Sequence, residues 1–299
     1  MKILLPTDGS EYSETAVQFL KRLNLSRNDE ITILHVISDD IFQDKEDYYY
    51  SRIKEIKQSV APKILDSAMN ILESIPARKT SLLMTGYPDK CIVEAAAVSN
   101  ADIIFMGPKR LKGIKSRIVG SVTKSVSISS SKPVLVIKPR QGEPPQDIKI
   151  LFATDGSDYA RKAGETLSLI PFHDNAKVAI LHVVTPAFYD IPDRFMEKIE
   201  ESAREDLKKY RAIELRESQA ILGRTAAYLS GKFSNVEKLT AMGEPSDEII
   251  YAANEMEADI IAVGSKGMGG FRGVVESLSR YILSVAECSV LIGKTKEIS

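Results

Sequence analysis

An internal repeat constrains the fold of this chain more than any other feature of its sequence. Four motifs occur twice in the same order, which indicates two diverged copies of one domain. They are ILLPTDGS (3–10) and ILFATDGS (150–157), LHV (34–36 and 181–183), GYP (86–88) and GEP (243–245), and ADII (101–104 and 258–261). The offset is 147 residues for the first two pairs and 157 for the last two, so the second copy has gained ten residues in between.

The ends of the two copies also correspond. VLVI at 134–137 matches VLIG at 290–293 at an offset of 156 residues, so the second copy has lost one residue after Asp259. The prolines and glycine between the copies are typical of a semi-rigid surface linker. We therefore predict one domain over 1–139, a linker over 140–147 and a second domain over 148–299. The length of 299 residues gives each copy enough chain for its own core.

Within each copy, short β-rich apolar runs alternate with longer stretches of helical periodicity, which is typical of βαβ units. The sequence predicts an α/β protein with two repeated Rossmann-like (flavodoxin-like) domains, each a five-stranded parallel sheet with helices on both faces. The predicted strands are 2–6, 31–37, 80–85, 102–106 and 134–138, then 148–153, 177–184, 236–241, 259–263 and 289–293. The predicted helices are 11–23, 47–74, 89–99 and 119–130, then 158–169, 193–230, 246–256 and 275–286.

Two helices have unusual features. Pro62 lacks the amide that a helix interior needs, so we expect it to break the helix over 47–74. The ten extra residues of the second copy lengthen its charged helix over 193–230. We interpret that helix as solvated, with contact to a partner or to the other domain as the alternative.

Charge and cysteine content exclude several function classes. The 40 basic and 41 acidic side chains nearly cancel, which gives no electrostatic basis for binding nucleic acid. The first residues become polar too soon for a signal peptide or a membrane span, so we expect a cytoplasmic protein without membrane contact. Cys91 and Cys288 lie in different copies without CxxC spacing; we interpret them as reduced thiols, with a redox pair as the alternative.

The TDGS turn follows the first strand of each copy, where ligands of open parallel sheets bind. One interpretation is helix capping, in which Asp or Ser accepts a backbone amide and Gly allows the tight turn. The other is that Asp8 and Asp155 accept hydrogen bonds from a ribose hydroxyl or an adenine amine. This turn by itself favours capping.

A glycine-rich stretch follows the fourth strand. The second copy reads ADIIAVGSKGMGGFRG over 258–273, and SLS at 277–279 falls in the next predicted helix. Glycines allow backbone amides to approach phosphate oxygens, and a hydroxyl at a helix start adds a donor. This pattern is similar to the universal stress protein signature G-x2-G-x9-G-[ST], and the other repeated motifs extend the resemblance over nearly the whole chain, twice. The resemblance implies that an adenine nucleotide binds at these loops.

The first copy departs from the signature at one position. Gly107, Gly120 and Ser121 keep the family spacing, but Arg110 replaces the second glycine. Lys109 and Arg110 are candidates for charge-assisted contacts to phosphate, and the alternative is a solvated basic loop. The second copy keeps Gly264 and Gly267, but its missing residue places Glu276 and Ser277 opposite Gly120 and Ser121. Because a carboxylate repels phosphate, we expect the first copy to bind in preference to the second.

The resemblance implies a set of binding residues in each copy. In the first copy, the adenine-side contacts are Pro6, Thr7, Asp8 and Val36, and the phosphate and ribose contacts are Met106, Gly107, Gly120, Ser121 and Val122. In the second copy, the matching residues are Ala153, Thr154, Asp155, Val183, Val263, Gly264, Ser265, Lys266, Gly267, Ser277 and Leu278.

No catalytic residue and no metal site can be assigned from the sequence. His35 and His182 lie within apolar strands and are interpreted as hydrogen-bonded core histidines. Neither a nucleophile with its base nor a cluster with metal-ligand spacing is recognisable. The expected ligand is ATP or AMP, with or without Mg²⁺.

Three functions are consistent with these observations. The leading hypothesis is a non-enzymatic adenine-nucleotide-binding protein of the stress response, and the alternatives are a nucleotide-free interaction module and a weak ATP hydrolase. The resemblance also implies that the last strands of the two copies pair antiparallel and that two chains associate as a homodimer. Pairing of these strands would remove an exposed sheet edge.

Overall fold

The computed structural model describes residues 1–38, 48–108, 119–139, 147–188, 200–265 and 275–295, with the side chains of 48–50 and 275–277 left out. The first half contains β1 (Lys2–Pro6), α1 (Glu11–Phe19, continued by a 3-10 turn at Leu20–Arg22), β2 (Glu30–Ser38), α2 (Tyr48–Ile71), β3 (Arg78–Gly86), α3 (Pro88–Val98), β4 (Ile103–Met106), α4 (Ser121–Ser129) and β5 (Val134–Val136). The second half contains β6 (Lys149–Ala153), α5 (Asp158–Leu169), β7 (Lys177–Val184), α6 (Glu201–Leu229), β8 (Asn235–Met242), α7 (Pro245–Glu255), β9 (Ile260–Gly264), α8 (Val275–Val285) and β10 (Ser289–Gly293).

The ten strands form one sheet in the order β3-β2-β1-β4-β5-β10-β9-β6-β7-β8. All pairings within each half are parallel, and the strand order reverses between β1 and β4 and again between β9 and β6. Successive residues of a strand face opposite helix layers: Ile3 and Leu5 belong to one apolar cluster and Leu4 to the other. The predicted α/β class with two Rossmann-like halves is confirmed.

The two halves join through their last strands. β5 and β10 pair antiparallel, with Leu135 opposite Leu291 at the centre of the register, and both side chains are fully buried. This pairing was implied by the sequence resemblance. Because the halves meet antiparallel, the carboxyl ends of their strands lie at opposite edges of the joint sheet.

Two lysines that follow these strands reinforce the junction. Lys138 is only 5 % exposed, and its ammonium group donates to the carbonyl oxygens of Leu283 and Ala286 at 2.7 and 2.5 Å. Lys294 occupies the matching place after β10 and donates to the carbonyl of Ile128 at 3.1 Å. Each lysine thus binds carbonyl groups at the C-terminal end of a helix in the other half, where a positive charge is favoured.

The prediction that Pro62 breaks the second helix is wrong. Helix α2 continues from Tyr48 to Ile71 with Pro62 in its interior and exposed to solvent. Ala61, Leu65 and Ala68 bury the opposite face of the helix in the core. A proline removes one intrahelical hydrogen bond, but tertiary packing of an apolar face supplies most of the stability of a protein helix.

The long helix of the second half lies on its own domain. In α6 the residues buried against the sheet are all in the C-terminal half: Ser218, Leu222, Thr225 and Leu229. The N-terminal half is almost entirely exposed, as expected for a solvated helix. The predicted start of this helix at 193 lies outside the described residues, which resume at 200.

The remaining expectations concern thiols, linker and membrane. Cys91 and Cys288 are both free, and burial raises the pKa of the Cys288 thiol to about 11. Within the described ranges, no helix is both long and apolar enough to cross a bilayer. The predicted linker falls almost wholly on residues outside the described part, so the domain boundaries stay a prediction.

The lysine pair generates a stability prediction. Lys138→Ala should lower the free energy of unfolding by about 2–3 kcal/mol, because two buried carbonyl groups lose a charged donor. Lys138→Met, which keeps the aliphatic stem, should lower the free energy of unfolding by nearly as much. Lys294→Ala removes the donor of only one carbonyl, at a more accessible position, and should lower the free energy of unfolding by less than Lys138→Ala does. Urea denaturation measures the differences, and a Lys138→Met variant as stable as the wild type would contradict the assigned role.

Candidate functional site

The ends of three neighbouring strands form the candidate site of the first half. β1 lies between β2 and β4, so the residues that follow these strands meet at one edge of the sheet. The amide of Thr7 donates to the carbonyl of Leu34 at 2.8 Å, and the Thr7 carbonyl oxygen lies 2.8 Å from Nδ1 of His35. These contacts fix the backbone just before Asp8.

The TDGS turn is held by its own side chains. Ser10 is the N-cap of α1 and accepts a hydrogen bond from the Ser13 amide at 3.3 Å, while the hydroxyls of Thr7 and Ser13 lie 3.0 Å apart. Gly9 adopts a φ of +75°, which favours glycine. The expected capping role therefore belongs to Ser10, and Asp8 is left at the mouth of the site.

Asp8 is an exposed carboxylate with local donors. Its Oδ1 atom accepts hydrogen bonds from the amide and the hydroxyl of Ser10 at 3.0 and 2.6 Å. Burial of part of the group acts to raise its pKa, but the hydrogen bonds from Ser10 and Ser13 outweigh burial and hold the pKa of Asp8 below its usual value. Asp8 is therefore ionised at neutral pH and can accept hydrogen bonds from a ligand.

Gly107 allows β4 to end against the first turn of α1. A Cβ atom at Gly107 would overlap the carbonyl oxygen of Tyr12 and lie 2.9 Å from the Cα of Ser13. The glycine is thus required for close contact between two backbones, in addition to the approach to phosphate that the sequence suggested. A side chain at this position would disturb packing whether or not a ligand binds.

Helix α4 begins beside Gly107. Gly120 is its N-cap and supplies no side-chain hydrogen bond to the first turn, Ser121 is exposed, and Val122 is half-buried. The Thr123 hydroxyl donates to the Gly107 carbonyl at 3.2 Å, which connects the helix to the end of β4. Within the described residues no side chain caps this helix start, so its first amides form a favourable environment for an anion.

The second half repeats most of this geometry. The Thr154 amide donates to the Leu181 carbonyl at 2.9 Å, and Oδ1 of Asp155 accepts the Ser157 amide at 2.9 Å. Ser157 caps α5 by accepting the Ala160 amide at 3.2 Å. A Cβ atom at Gly264 would lie 2.8 Å from the Tyr159 carbonyl carbon, so this glycine has the same packing role as Gly107.

Helix α8 differs from α4 at its start. Its first described residue is Val275, so Glu276 and Ser277 lie in its first described turn, and in the aligned sequences they stand opposite Gly120 and Ser121. Among the residues with described side chains, Ser265 and Leu278 are half-buried at this end of the sheet. A carboxylate in the first turn competes with an anionic ligand for the helix amides.

The predicted residues divide by accessibility. Six are buried and support the turn or the strand end: Pro6, Thr7, Met106, Ala153, Thr154 and Val263. Eleven are exposed or half-buried: Asp8, Val36, Gly107, Gly120, Ser121, Val122, Asp155, Val183, Gly264, Ser265 and Leu278. Lys109, Arg110, Lys266 and Gly267 lie outside the described residues, as does the side chain of Ser277.

Both strand histidines are half-buried and hydrogen-bonded. His35 contacts the Thr7 carbonyl, and Nδ1 of His182 lies 3.0 Å from the Ser218 hydroxyl. Burial lowers the pKa of His182, and the nearby charge of Asp155 opposes this shift only in part. The interpretation as hydrogen-bonded histidines is confirmed, although neither ring is fully buried.

Sequence reasoning missed several residues that shape the sites. Ile64 of α2 and Ile221 of α6 cover the turn glycines, each within 3.0–3.1 Å of where a Cβ would stand. Ser125 donates to Asp89 at 2.6 Å between α4 and α3, and this hydrogen bond is the main cause of a lowered pKa at Asp89. These contacts had no local signal in the sequence, because each joins residues from different elements.

Comparison with known proteins identifies the family. The model of the universal stress protein family matches twice, over residues 1–138 and 148–294. The chain belongs to the universal stress protein family. Universal stress protein MJ0577 of Methanocaldococcus jannaschii is 30 % identical over 152 residues, which cover 46 % of this chain and 94 % of that protein. Universal stress protein Rv2623 of Mycobacterium tuberculosis is 22 % identical over 309 residues, which cover 98 % of this chain and 96 % of that protein.

A solved universal stress protein from Archaeoglobus fulgidus has the same tandem fold. It covers 100 % of this chain and 97 % of its own, with a TM-score of 0.65 and 22 % sequence identity. Tandem universal stress proteins thus share the two-domain architecture described above. In the described ranges of this chain, no group of three or more His, Cys, Asp or Glu side chains could hold a metal ion.

The packing role of the motif glycines can be tested by stability. Gly107→Ala and Gly264→Ala should each lower the free energy of unfolding by about 2–3 kcal/mol, because the added methyl group meets helix backbone. Gly120→Ala is the control: its φ of −66° suits any residue, and the cost should stay within about 1 kcal/mol. Chemical denaturation distinguishes these values, and a neutral Gly107→Ala variant would contradict the close approach.

The lowered pKa of Asp8 predicts a pH dependence. Ionised Asp8 stabilises the folded protein at pH values above the unfolded-state pKa, about 4, and this contribution is lost as the pH falls through the lower folded-state pKa. From about pH 5 to about pH 3, the wild type should therefore lose more thermal stability than Asp8→Asn. Asp66→Asn, on the exposed face of α2, controls for net charge. Parallel pH profiles for wild type and Asp8→Asn would contradict the prediction.

Proposed function

We propose that this universal stress protein binds an adenine nucleotide, ATP or AMP with or without Mg²⁺, in the crevice of its first domain. It acts as a non-enzymatic protein of the stress response whose contacts with partners depend on nucleotide state. It works in the cytoplasm, and two chains associate as a homodimer. The observation that carries the binding proposal is an exposed, ionised Asp8 at the same sheet edge as the uncapped start of α4.

The start of α4 supports a role in phosphate binding. Its first amides receive no side-chain cap from Gly120, and the adjacent Ser121 hydroxyl is exposed. Unpaired amides and the positive end of the helix dipole attract a phosphate oxyanion. The connection from Thr123 to Gly107 holds this helix start beside the end of β4.

Asp8 and Val36 support a role in binding the nucleoside. Asp8 accepts hydrogen bonds and follows β1, and Val36 is a half-buried apolar residue of the adjacent β2. A carboxylate beside an apolar surface suits a purine nucleoside, which has donor groups and an apolar ring face. The Thr7 backbone contacts fix the position of Asp8 before a ligand arrives.

The second domain is less suited to the same ligand. It keeps the strand-end turn, with a half-buried Asp155, and the close approach of Gly264 to α5. Glu276 in the first turn of α8 adds a negative charge where the first domain has none. The proposal therefore assigns the stronger nucleotide site to the first domain.

Nucleotide titration of paired variants tests the proposal. Isothermal titration calorimetry with ATP and with AMP should give saturable binding to the wild type. Asp8→Asn should weaken binding about tenfold or more, because it removes a charged acceptor with little change of shape. Asp155→Asn is the matched control and should change the affinity of the first site by less than about twofold.

Mass spectrometry of protein purified without added nucleotide provides an independent check, since a tight ligand should be retained. Absence of any adenine nucleotide, together with no heat of binding for ATP or AMP, would refute the proposal. An equal loss of nucleotide affinity in Asp8→Asn and in Asp155→Asn would refute the assignment of the site to the first domain.

A further inference from the structure

A large cavity lies where the two domains meet, and none of its lining residues belongs to the candidate nucleotide sites. Its volume is about 890 Å³, within the range of roughly 300–1,000 Å³ that is typical of small-molecule pockets. The first domain contributes α1 with its 3-10 turn and the residues that follow β5. The second contributes the end of α7 and the segments that lead into β9 and β10. The cavity is therefore complete only in the joined two-domain chain.

Much of the lining is apolar. The apolar residues comprise a buried set and two half-buried residues: Phe19, Ile137, Ala253 and Ala258, then Pro139 and Cys288. Burial raises the pKa of the Cys288 thiol to about 11, so this side chain is uncharged at neutral pH. An apolar group that enters the cavity exchanges contact with water for contact with these residues, which favours binding.

The charged side chains of the lining balance each other. The cations are Lys21, Arg22 and Lys138, and the anions are Glu257, Asp259 and Glu287. Arg22 lies 3.8 Å from Asp259, and Glu257 lies 3.5 Å from Lys149. Lys138 already donates to two carbonyl groups at the end of α8. Because the cations and anions are equal in number and several are bound to other groups of the protein, the cavity favours an uncharged occupant over an ion.

Two uncharged polar side chains are available to a ligand. Gln18 on α1 and Asn254 on α7 line the cavity and are exposed. Within the described residues, neither side chain has a hydrogen-bond partner. A carboxamide offers both donors and an acceptor. One carboxamide from each domain is therefore suited to a neutral polar group, such as an amide or the edge of a heterocycle.

The apolar lining is specific to this junction. Four of its residues have smaller or polar counterparts at the same positions of the other copy: Thr166 for Phe19, Gly293 for Ile137, Thr295 for Pro139 and Lys132 for Cys288. The scaffold that the two copies share therefore does not require apolar residues at these positions. Asn254 corresponds to Ala97, which is exposed on α3 and offers a matched control position.

We propose that this interdomain cavity binds an uncharged, largely apolar small molecule. The apolar part of the ligand contacts Pro139 and Cys288, and its polar group forms hydrogen bonds with Gln18 and Asn254. The site is separate from the crevice of the first domain and does not depend on the function proposed for that crevice.

Fluorescence titration of the full chain with N-phenylnaphthylamine, an uncharged apolar probe, tests this inference. The wild type should show one saturable site. Asn254→Trp, which fills the cavity from an exposed position, should weaken binding about tenfold or more, and Ala97→Trp should leave it unchanged. Anilinonaphthalene sulfonate has the same ring system with a negative charge, and it should bind at least about fivefold more weakly.

Alkylation by iodoacetamide locates the bound probe. Saturating N-phenylnaphthylamine should slow modification of Cys288 about threefold or more, as followed by peptide mass spectrometry, because the probe covers this thiol. Modification of Cys91, which lies outside the cavity, should keep its rate. The inference is overturned if the wild type has no saturable site, if Asn254→Trp binds the probe as tightly as Ala97→Trp, if the sulfonate binds as tightly as the uncharged probe, or if Cys288 is not protected.

Discussion

The antiparallel pairing of β5 with β10 determines how the two copies can work together. It turns two five-stranded sheets into one and buries Leu135 and Leu291 at the junction. It also removes the edge that each last strand would otherwise expose. Because the pairing is antiparallel, the strand ends that carry Asp8 and Asp155 lie at opposite ends of the sheet, so each candidate site must be assembled from its own domain.

Within each domain, the end of the fourth strand makes close contact with the first turn of the domain's first helix, α1 or α5. Gly107 against Tyr12 and Gly264 against Tyr159 leave no room for a side chain. This contact places the capped turn that carries Asp8 or Asp155 beside the last helix of the domain. Gly107 and Gly264 belong to a motif that resembles a phosphate-binding loop in sequence. Both glycines are needed for packing whether or not a ligand binds.

The sequence was sufficient to predict every described strand and helix and the parallel arrangement within each half, because repeats and hydrophobic periodicity are local signals. It also located the capped turns that carry Asp8 and Asp155, whereas a role of these turns in ligand binding stays a prediction. The continuity of α2 through Pro62 was not predictable, since packing of Ala61 and Leu65 on the sheet outweighs a local propensity. The contacts of Lys138 with α8 were also beyond sequence reasoning, because they join residues 145 and 148 positions apart.

The two copies have diverged most at the start of the last helix, where the first has an uncapped glycine and the second a glutamate, and at the end of that helix, where only the first carries a run of serines. The difference at the helix start is the basis for proposing the stronger nucleotide site in the first domain. A crystal structure of the full chain grown with ATP is the most direct test of the central claim. The account predicts nucleotide density beyond the ends of β1 and β4, with the nucleoside at Asp8 and Val36 and the phosphates at the start of α4. Density for ATP elsewhere, with that crevice empty, would contradict it.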